Sequence, residues 1–237
     1  TEVILTMKKY SLILAVSAFA ISFPISATMA VAQEEQDVKL PSLVISATGY
    51  ETRQSQVSSD ITVITKEEIS HLPVHDVGEA LNYVTGLVLQ PNGGPGVPVS
   101  PSIQGSESRH VKILIDGIPL ESLAQEIPLF PALSIENIER IEVLKGAASS
   151  VWGSSLGGVI NIITKEPSDK PLSEVSVSAG EGNSRKYSAA LSGKASGTGY
   201  LLSASEFKTD GFFENQDAIR DNIYAKLTNE LGKNLKA

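Results

Sequence analysis

The chain has 237 residues, no cysteine and a formal net charge of −8, from 27 acidic and 19 basic side chains. This length suits one or two domains of ordinary size. The lack of cysteine excludes disulfides and thiolate metal sites. The acidic balance argues against a nucleic-acid-binding protein, which needs a basic face.

The N-terminal segment has the three parts of a secretory signal peptide. Met7 is followed by two lysines, by an apolar run over residues 11–25, and by the small-x-small sequence AVA before Gln33. The run is shorter than the ~20 residues of a spanning helix, so a membrane anchor is the less favoured alternative. We expect residues 1–32 to be removed on export, and we interpret residues 1–6 as a gene-boundary artefact.

Residues 33–50 are predicted to form a flexible tail, because they begin with a polar, acidic stretch. The tail contains one short extended segment, formed by Leu43, Val44, Ile45, Ser46 and Ala47. No other strand is predicted within the tail, so this segment is expected to be available for pairing with the sheet edge of another protein. The alternative is a segment without fixed structure.

Short strands and short helices alternate in the next part of the chain. A strand predicted over residues 61–65 leads into a capping box, Thr65 with Glu68, that starts a helix. Pro73 ends this helix, and a second helix is predicted over residues 76–86.

An apolar strand over residues 111–115 ends in Asp116-Gly117, a strong hairpin signal. Together with the preceding elements, it predicts a small α+β domain over residues 51–166.

The segment IERIEVLKGAASSVWGSSLGGVINIITK, residues 138–165, is the most informative part of the chain. It predicts a half-buried strand over residues 138–144, a compact turn rich in glycine, and a strand over residues 159–164 that is buried on both faces. The sequence from Gly153 to Gly157 matches the G-x-S-x-G pattern of hydrolases. That pattern needs a following helix and a downstream histidine, and the chain has neither there, so we predict no enzyme.

Alternation of apolar and polar residues marks residues 167–237; it is strict over 174–179, rougher over 186–192 and least regular over 201–207. It predicts about four strands, over residues 174–179, 186–192, 201–207 and 223–228, with turns at 182–183 and 197–199. One apolar side and one Ser/Thr/Lys side suit strands between lipid and a wet lumen; an antiparallel sheet of a soluble domain is the alternative. Four strands cannot close a barrel, and lipid does not tolerate open edges. We therefore expect a longer protein, of which this chain is the front part.

Four blocks carry a family resemblance: LVISAT, ITVITKEEI, QGSESRHVKILIDGIPL and the segment of residues 138–165. Across about residues 43–213, the chain resembles TonB-dependent outer-membrane receptors, and around residues 90–96 it is most similar to the vitamin B12 and siderophore branch. The resemblance implies an α+β plug domain, built on a small mixed sheet with short helices, followed by the first strands of an antiparallel transmembrane β-barrel that is incomplete.

The resemblance also implies a function. Leu43 to Ala47 would be the TonB box, gripped by the periplasmic energy transducer TonB, and the other partners would be outer-membrane lipid and a scarce nutrient such as cobalamin or an iron-siderophore. The expected function is active uptake across the outer membrane, with no cofactor and no catalytic residue. A soluble periplasmic plug-like module and a signalling receptor of the same family are the alternatives.

Two sets of site residues follow from the resemblance. The ligand-binding loops would contribute Asn92, Gly93, Gly94, Val97, Val99, Leu120, Glu121 and Leu123. A lock between plug and barrel would involve Gln104, Arg109, Arg140, Glu142 and Lys145. Gln104 and Lys145 stand where the family usually has arginine. Because Lys is a point charge and Gln carries none, we expect a weaker lock.

Metal sites are not favoured. His71 and His75 have the spacing of a helical pair, but Pro73 lies between them and Asp76 is the only neighbouring ligand, so solvated histidines are expected. A weak calcium candidate is an acidic hairpin that carries Asp210, Glu214, Asp217 and Asp221.

Overall fold

The computed structural model describes residues 43–44, 48–57, 59–91, 99–120, 130, 133–212, 214 and 216–229. The predicted signal peptide and most of the predicted tail lie outside these residues. In the described part of the chain, no helix is long and apolar enough to cross a membrane.

The first part of the chain is an α+β domain. Its elements are β1 (Leu43–Val44), β2 (Thr52–Arg53), β3 (Asp60–Thr65), α1 (Lys66–His71), α2 (Val77–Leu81), β4 (Leu87–Pro91), β5 (Val99–Ile103), β6 (Val111–Ile115), β7 (Ile118–Pro119), β8 (Ile138–Lys145), α3 (Ser149–Trp152) and β9 (Gly158–Thr164). The strands of its main sheet are ordered β3-β8-β9-β6-β7. The β6–β9 pair is parallel and the other pairs are antiparallel, so the predicted mixed sheet is confirmed.

The second part is an antiparallel sheet of long strands, which we call the long-strand sheet. It consists of β10 (Leu172–Gly180), β11 (Ser184–Ala195), β12 (Thr198–Thr209) and β13 (Ala218–Asn229), paired in chain order. All four predicted strands are confirmed, and each is longer than predicted. The turn between β11 and β12 is Ser196-Gly197, one residue earlier than predicted, and both residues have positive φ. The sheet is open within the described residues.

The main sheet of the α+β domain buries apolar side chains on both faces. Side chains alternate along a strand, so Val143 and Ile160 lie in one core cluster while Leu144 and Val159 lie in the other. The central strand β9 is buried on both faces, as predicted. The prediction that β8 is half-buried is wrong for its second half, because Ile141 to Leu144 are all buried, including the charged Glu142.

Local signals placed the first helix correctly and misplaced the end of the second. The Thr65–Glu68 capping box is present in both directions, with N–O distances of 3.3 and 2.8 Å. Helix α2 ends at Leu81, five residues before Gly86. Gly86 instead has φ +83° in the turn that leads into β4, so its positive φ serves a later turn.

The predicted free segment at the start of the chain is paired within the domain. Leu43 and Val44 pair antiparallel with Arg53 and Thr52, and Val44 has no exposed surface. The expectation that this segment has no partner of its own is therefore wrong, because β2 supplies one. Ile45, Ser46 and Ala47 lie outside the described residues.

One glycine lets the two central strands approach closely. Gly158 pairs with Lys145 at the end of β8 and has φ +148°. A Cβ atom built there would lie 2.3 Å from the Leu144 carbonyl oxygen and 2.8 Å from Ile103 Cδ1. Only glycine fits this position without moving the backbone.

Replacing Gly158 with alanine should therefore destabilise the α+β domain by about 1–3 kcal/mol, the usual cost of overpacking. Hydrogen exchange of the β9 amides, measured by mass spectrometry, would report the change. Gly180→Ala is the matched control, because a Cβ atom built on this strand glycine would lie 3.9 Å from Ser184 Cβ, an ordinary contact distance. Equal protection of β9 in the two variants would contradict the packing argument.

Candidate functional site

The long-strand sheet contacts the α+β domain through one row of side chains. Lys186, Phe207 and Arg220 are direct cross-strand neighbours on β11, β12 and β13. They face two short segments of the α+β domain that an isolated antiparallel bridge, Asp76 to Ser134, holds side by side. We call this set the interdomain clamp; its members are His75, Asp76, Ser134, Glu136, Lys186, Phe207 and Arg220.

Asp76 joins a helix start to the long-strand sheet. Its Oδ1 accepts the Glu79 backbone N–H at 2.9 Å, which is the N-cap of α2. Its Oδ2 accepts a charge-assisted hydrogen bond from Arg220 Nη1 at 2.5 Å. The side chains of Asp76 and Arg220 are only 9% and 13% exposed, so this ion pair is largely removed from water.

Phe207 is the apolar centre of the clamp. The His75 ring stacks on it with a centroid distance of 4.8 Å and an interplanar angle of 30°. The Arg220 guanidinium lies 4.6 Å from the centroid of the same ring, within the range of a cation–π contact. Phe207 therefore excludes water beside the Asp76–Arg220 pair. The prediction that His75 is solvated is wrong, because the ring is half-buried against Phe207.

Glu136 and Lys186 form the second ion pair of the clamp. Lys186 Nζ lies 2.5 Å from Glu136 Oε1 and also donates to the His75 carbonyl at 3.0 Å. The Ser134 hydroxyl donates to the other Glu136 oxygen. Burial alone would raise the pKa of Glu136, but the Lys186 charge, together with hydrogen bonds from Lys186, Ser134 and the backbone, holds this pKa below its ordinary value of 4.5.

Further contacts tie the end of β9 to the long-strand sheet. Lys226 Nζ lies 2.9 Å from Thr164 Oγ1, 3.1 Å from Glu166 Oε1 and 3.6 Å from Asp116 Oδ2. Asp116, from the β6–β7 turn, also accepts the Thr164 backbone N–H at 2.8 Å. Tyr224 donates its hydroxyl to Thr164 at 3.1 Å. The inward face of the long strands is thus polar and matched by polar groups of the α+β domain.

Strand β1 lies over the second core cluster of the main sheet. Val44 packs there with Ile61, Leu114, Leu144, Ala148 and Val159, and Trp152 of α3 packs against the same cluster. Burying one valine contributes about 1.5–3 kcal/mol. A two-residue strand with one buried valine is therefore held by a small apolar contact.

Two polar side chains share the sheet face on which β1 lies. Glu142 and Asn161 are cross-strand partners, two residues from Leu144 and Val159 along their strands. Glu142 accepts from Arg140 Nε at 2.8 Å, and Asn161 Oδ1 accepts from the Gly117 N–H at 3.2 Å. Asn161 Nδ2 is buried without a hydrogen-bond partner among the described residues. The face beneath β1 is therefore only partly apolar.

The predicted lock residues are placed within the α+β domain. Arg140 and Glu142 pair with each other, Lys145 lies 3.6 Å from Asp60, and Arg109 pairs with Glu107 at 2.8 Å on the exposed surface. Gln104 sits in a turn with φ +51°, and its N–H donates to the Gly86 carbonyl at 2.7 Å. Their role in contacts with further barrel strands stays a prediction.

Only two of the predicted ligand-loop residues are described. Val99 begins β5 and Leu120 follows β7; both are partly buried against the main core cluster. Six others lie outside the described residues: Asn92, Gly93, Gly94, Val97, Glu121 and Leu123. The ligand-contact assignment therefore stays a prediction.

Metal and nucleophile candidates do not form sites in the described part of the chain. No group of three or more histidine or acidic side chains there could hold a metal ion. Of the calcium candidates, Asp221 lies within β13 and not in a hairpin loop, Asp210 accepts from Asn183 at 2.8 Å, and Glu214 and Asp217 lie between β12 and β13. Ser155 is fully buried and precedes strand β9, so it is no nucleophile elbow.

The clamp was missed at the sequence level, although its members carry a signal. Asp76 was considered only as a helix start and as a neighbour of the histidine pair, Lys186 only as a member of an alternating strand, and Arg220 lay outside the predicted strands. A charged side chain at an inward position of a barrel strand requires a partner, because the lumen at that height is filled by protein. Lys186 and Arg220 lie on the two strands beside the inward Phe207. This arrangement could have indicated a surface that contacts the rest of the protein.

Comparison with known proteins agrees with this architecture. Residues 53–159 match the model of the TonB-dependent receptor plug domain. The chain is 32% identical over 168 residues to the vitamin B12 transporter BtuB of Vibrio cholerae, a match that covers 70% of this chain and 27% of that protein. The chain therefore spans about a quarter of the length of the curated relatives it matches.

Two solved structures are similar in fold. The siderophore receptor PiuA from Acinetobacter baumannii is 26% identical, with a TM-score of 0.63 over 75% of this chain and 25% of that one. The ferripyoverdine receptor of the outer membrane of Pseudomonas aeruginosa is 19% identical, with a TM-score of 0.71 over 87% of this chain and 28% of that one.

The fold and the matches define the class of the protein. Residues 53–159 are a plug domain of the kind found in TonB-dependent receptors, and the long-strand sheet has the fold of antiparallel barrel strands in such receptors. Its relatives with known roles are transporters and receptors, not enzymes.

The Asp76–Arg220 pair should be essential for holding the plug against the strands. Asp76→Asn keeps a good helix cap but leaves the Arg220 charge buried without its partner, a loss of about 3–5 kcal/mol. Hydrogen exchange of the α2 amides would show this loss in the complete receptor. Asp169→Asn, which breaks an exposed pair with Lys194, should leave α2 protected. Unchanged α2 protection in Asp76→Asn would contradict the role of the clamp.

Glu136 should make the clamp sensitive to acid. Because the folded-state pKa lies below 4.5, the stabilisation is complete above the unfolded-state pKa and is lost as pH falls through the folded-state value. The urea concentration at the midpoint of unfolding should therefore decrease more steeply for the wild type than for Glu136→Gln when the pH is lowered from about 7 to about 3. Parallel pH profiles of the two proteins would show that Glu136 does not contribute.

Proposed function

We propose that this chain is the plug and first barrel strands of an outer-membrane receptor that takes up a scarce nutrient, cobalamin or an iron-siderophore, with energy from TonB. One observation carries the proposal: the plug domain contacts the long-strand sheet through the interdomain clamp, and the short extended strand β1 lies at the start of this domain. The similarity to BtuB and to PiuA supports these two ligand classes. The predicted export signal and outer-membrane location are part of the same proposal.

The two faces of the long strands support a membrane location. Outward positions carry apolar side chains that are strongly exposed, such as Val175, Ile223 and Leu227 at 80%, 88% and 68%. Inward positions carry the polar groups that contact the plug. An apolar outward face and a polar, filled interior are typical of strands in an outer-membrane barrel. A soluble periplasmic module would leave this apolar face in water.

Uptake would depend on a change in the box strand. In the described state, β1 is paired with β2 and Val44 is buried. Because Val44 is buried against the plug core, TonB can grip the Leu43–Ala47 segment only after β1 has left this contact. A ligand bound by the plug loops can favour this release only if it binds the released state more tightly. Because Val44 is the one buried valine of β1, the free-energy cost of releasing this strand is small.

The complete gene tests the architecture. We expect the DNA beyond codon 237 to encode the remaining barrel strands, since the chain corresponds to 27% of the length of its matched relatives and an open sheet edge is not tolerated in lipid. A stop codon directly after codon 237 in the genomic sequence would contradict this proposal and favour a plug-like binding module.

The ligand is tested by direct binding. The complete receptor, purified in detergent, would be titrated with cobalamin and with a panel of ferric siderophores. One ligand of these two classes should bind at micromolar concentration or below. Failure of every member to bind would contradict the proposed substrate class while leaving the membrane architecture standing.

Val44→Pro should separate uptake from binding. Proline removes the backbone N–H that strand pairing needs, and it fixes φ. We expect the variant to bind ligand normally and to lose uptake by at least about tenfold, because TonB cannot pair with the altered strand. Val44→Thr, which keeps the N–H and the β-branched shape, is the matched control. Wild-type uptake by Val44→Pro would refute the box assignment.

A further inference from the structure

Two adjoining cavities separate the plug domain from the long-strand sheet on the side of β10, β11 and β12. Their volumes are about 200 and about 100 Å³, and we call the two together the wall gap. Both cavities are lined by Glu136, Lys165, Glu174 and Ala190. The strands contribute mainly small side chains to the lining: Ser176, Ser188, Ala190, Ser192, Ser203 and Ser205. Short side chains therefore leave space between plug and strands on this side.

The opposite side of the interface, at β13, is closed by direct contacts. Lys226 and Tyr224 of β13 contact the Thr164 hydroxyl at the end of β9, with distances of 2.9 and 3.1 Å. Lys226 Nζ also lies 3.1 Å from Glu166 Oε1. In the described part of the chain, no residue of β13 lines the wall gap. A solute that moves past the plug would therefore have to break fewer contacts along β10–β12 than along β13.

The Glu136–Lys186 ion pair lies at the exterior end of the wall gap. Outer-membrane barrels have short turns on the periplasmic side and longer loops outside. The β11–β12 turn has two residues, whereas the β12–β13 connection spans residues 210–217. Lys186 is near the start of β11, at the end of the sheet that carries this longer connection, and Ser188 follows it toward the periplasm. Because Glu136 lines both cavities, the ion pair stands between the exterior and the wall gap.

Part of the plug side of the wall gap belongs to the segment that a pull on β1 reaches first. Lys66, the first residue of α1, lines the larger cavity. Helix α1 directly follows β3, an edge strand that pairs only with β8 in the main sheet. Farther along the same segment, the His75 carbonyl accepts a hydrogen bond from Lys186. Displacement of the chain from β1 to His75 would therefore widen the wall gap and remove one contact that holds Lys186.

We infer that the nutrient passes the plug on the β10–β12 side, through the wall gap, and that the Glu136–Lys186 pair closes this passage at its exterior end. Pockets for drug-sized ligands measure ~300–1,000 Å³, so the wall gap admits a nutrient only after the plug segment is displaced. Serine hydroxyls both donate and accept, so they can exchange hydrogen bonds with a polar solute as it moves. The inference rests on the proposed uptake function.

Thiol labelling of the complete receptor tests the side of the passage. Ser188 lines the smaller cavity, whereas Asn222 lies in the same cross-strand row and lines neither cavity. The 237 residues contain no cysteine, so Ser188→Cys and Asn222→Cys each add one thiol; any cysteine elsewhere in the receptor would be replaced by serine. A membrane-impermeant maleimide is added outside the cells, together with the cobalamin or ferric siderophore that the receptor binds in the titration.

The labelling rates are compared with and without energised TonB. Because the reactivity of a thiol follows its exposure, energy should raise the rate at least about tenfold for Ser188→Cys and leave it unchanged for Asn222→Cys. An equal increase at the two positions, or an increase at Asn222→Cys alone, would overturn the inference.

Lys186→Gln tests the closing ion pair without TonB. Because the substitution removes the bond to the Glu136 carboxylate, Ser188→Cys should react at least about fivefold faster in this background even in de-energised cells. Glu136→Gln, which removes the other charge and keeps the shape, should have the same effect. Lys194→Gln is the matched control, since it breaks an exposed pair with Asp169, and it should leave the rate unchanged. Nutrient binding by each variant verifies its fold. Equal rates in all backgrounds would refute the closing role of the pair.

The passage and the proposed function fail by different observations. Failure of the complete receptor to bind any nutrient of the two classes would refute the proposed function. Normal uptake, with energy-dependent labelling at Asn222→Cys and none at Ser188→Cys, would refute only the passage.

Discussion

The architecture depends on charges that face the interior of the long-strand sheet and therefore require partners on the plug. Lys186 and Arg220 project inward from β11 and β13, and each is mostly shielded from water. A buried charge without a partner costs several kcal/mol, so strands with this sequence are compatible only with a plug that presents carboxylates at the same height. Asp76 and Glu136 meet that need. The ion pairs add less to stability than apolar packing would, but they select one placement of the plug.

Two parts of the plug are held with different strengths. The clamp combines two shielded ion pairs, a ring stack and a backbone hydrogen bond, and losing one member of a shielded pair costs about 3–5 kcal/mol. Strand β1 has a two-residue pairing with β2 and one buried valine, whose burial contributes about 1.5–3 kcal/mol. A pull applied at Leu43 would therefore separate β1 from the sheet before it disturbs the segments around Asp76.

Local patterns in the sequence predicted elements better than their partners. The capping box, the Asp116-Gly117 hairpin and the four alternating strands are confirmed because each rests on backbone or side-chain chemistry within a few residues. Pairing of β1 with β2 and burial of Glu142 were not foreseen, since both depend on residues brought together from elsewhere in the fold. The clamp shows the same limit: Asp76 and Arg220 are 144 positions apart, and no local pattern links them.

The period of two along a β-strand lets each long strand meet two environments. On β12, Phe207 points inward to His75 and Arg220, while its neighbours Glu206 and Lys208 point outward. A slip of one residue in register would exchange these faces. It would move Arg220 to the outward face and leave Asp76 without its counter-charge. Depending on the direction of the slip, either the apolar Ile219 or the acidic Asp221 would then face Asp76. Because such a slip would break the ion pairs, the contacts with the plug help to fix the register of the strands.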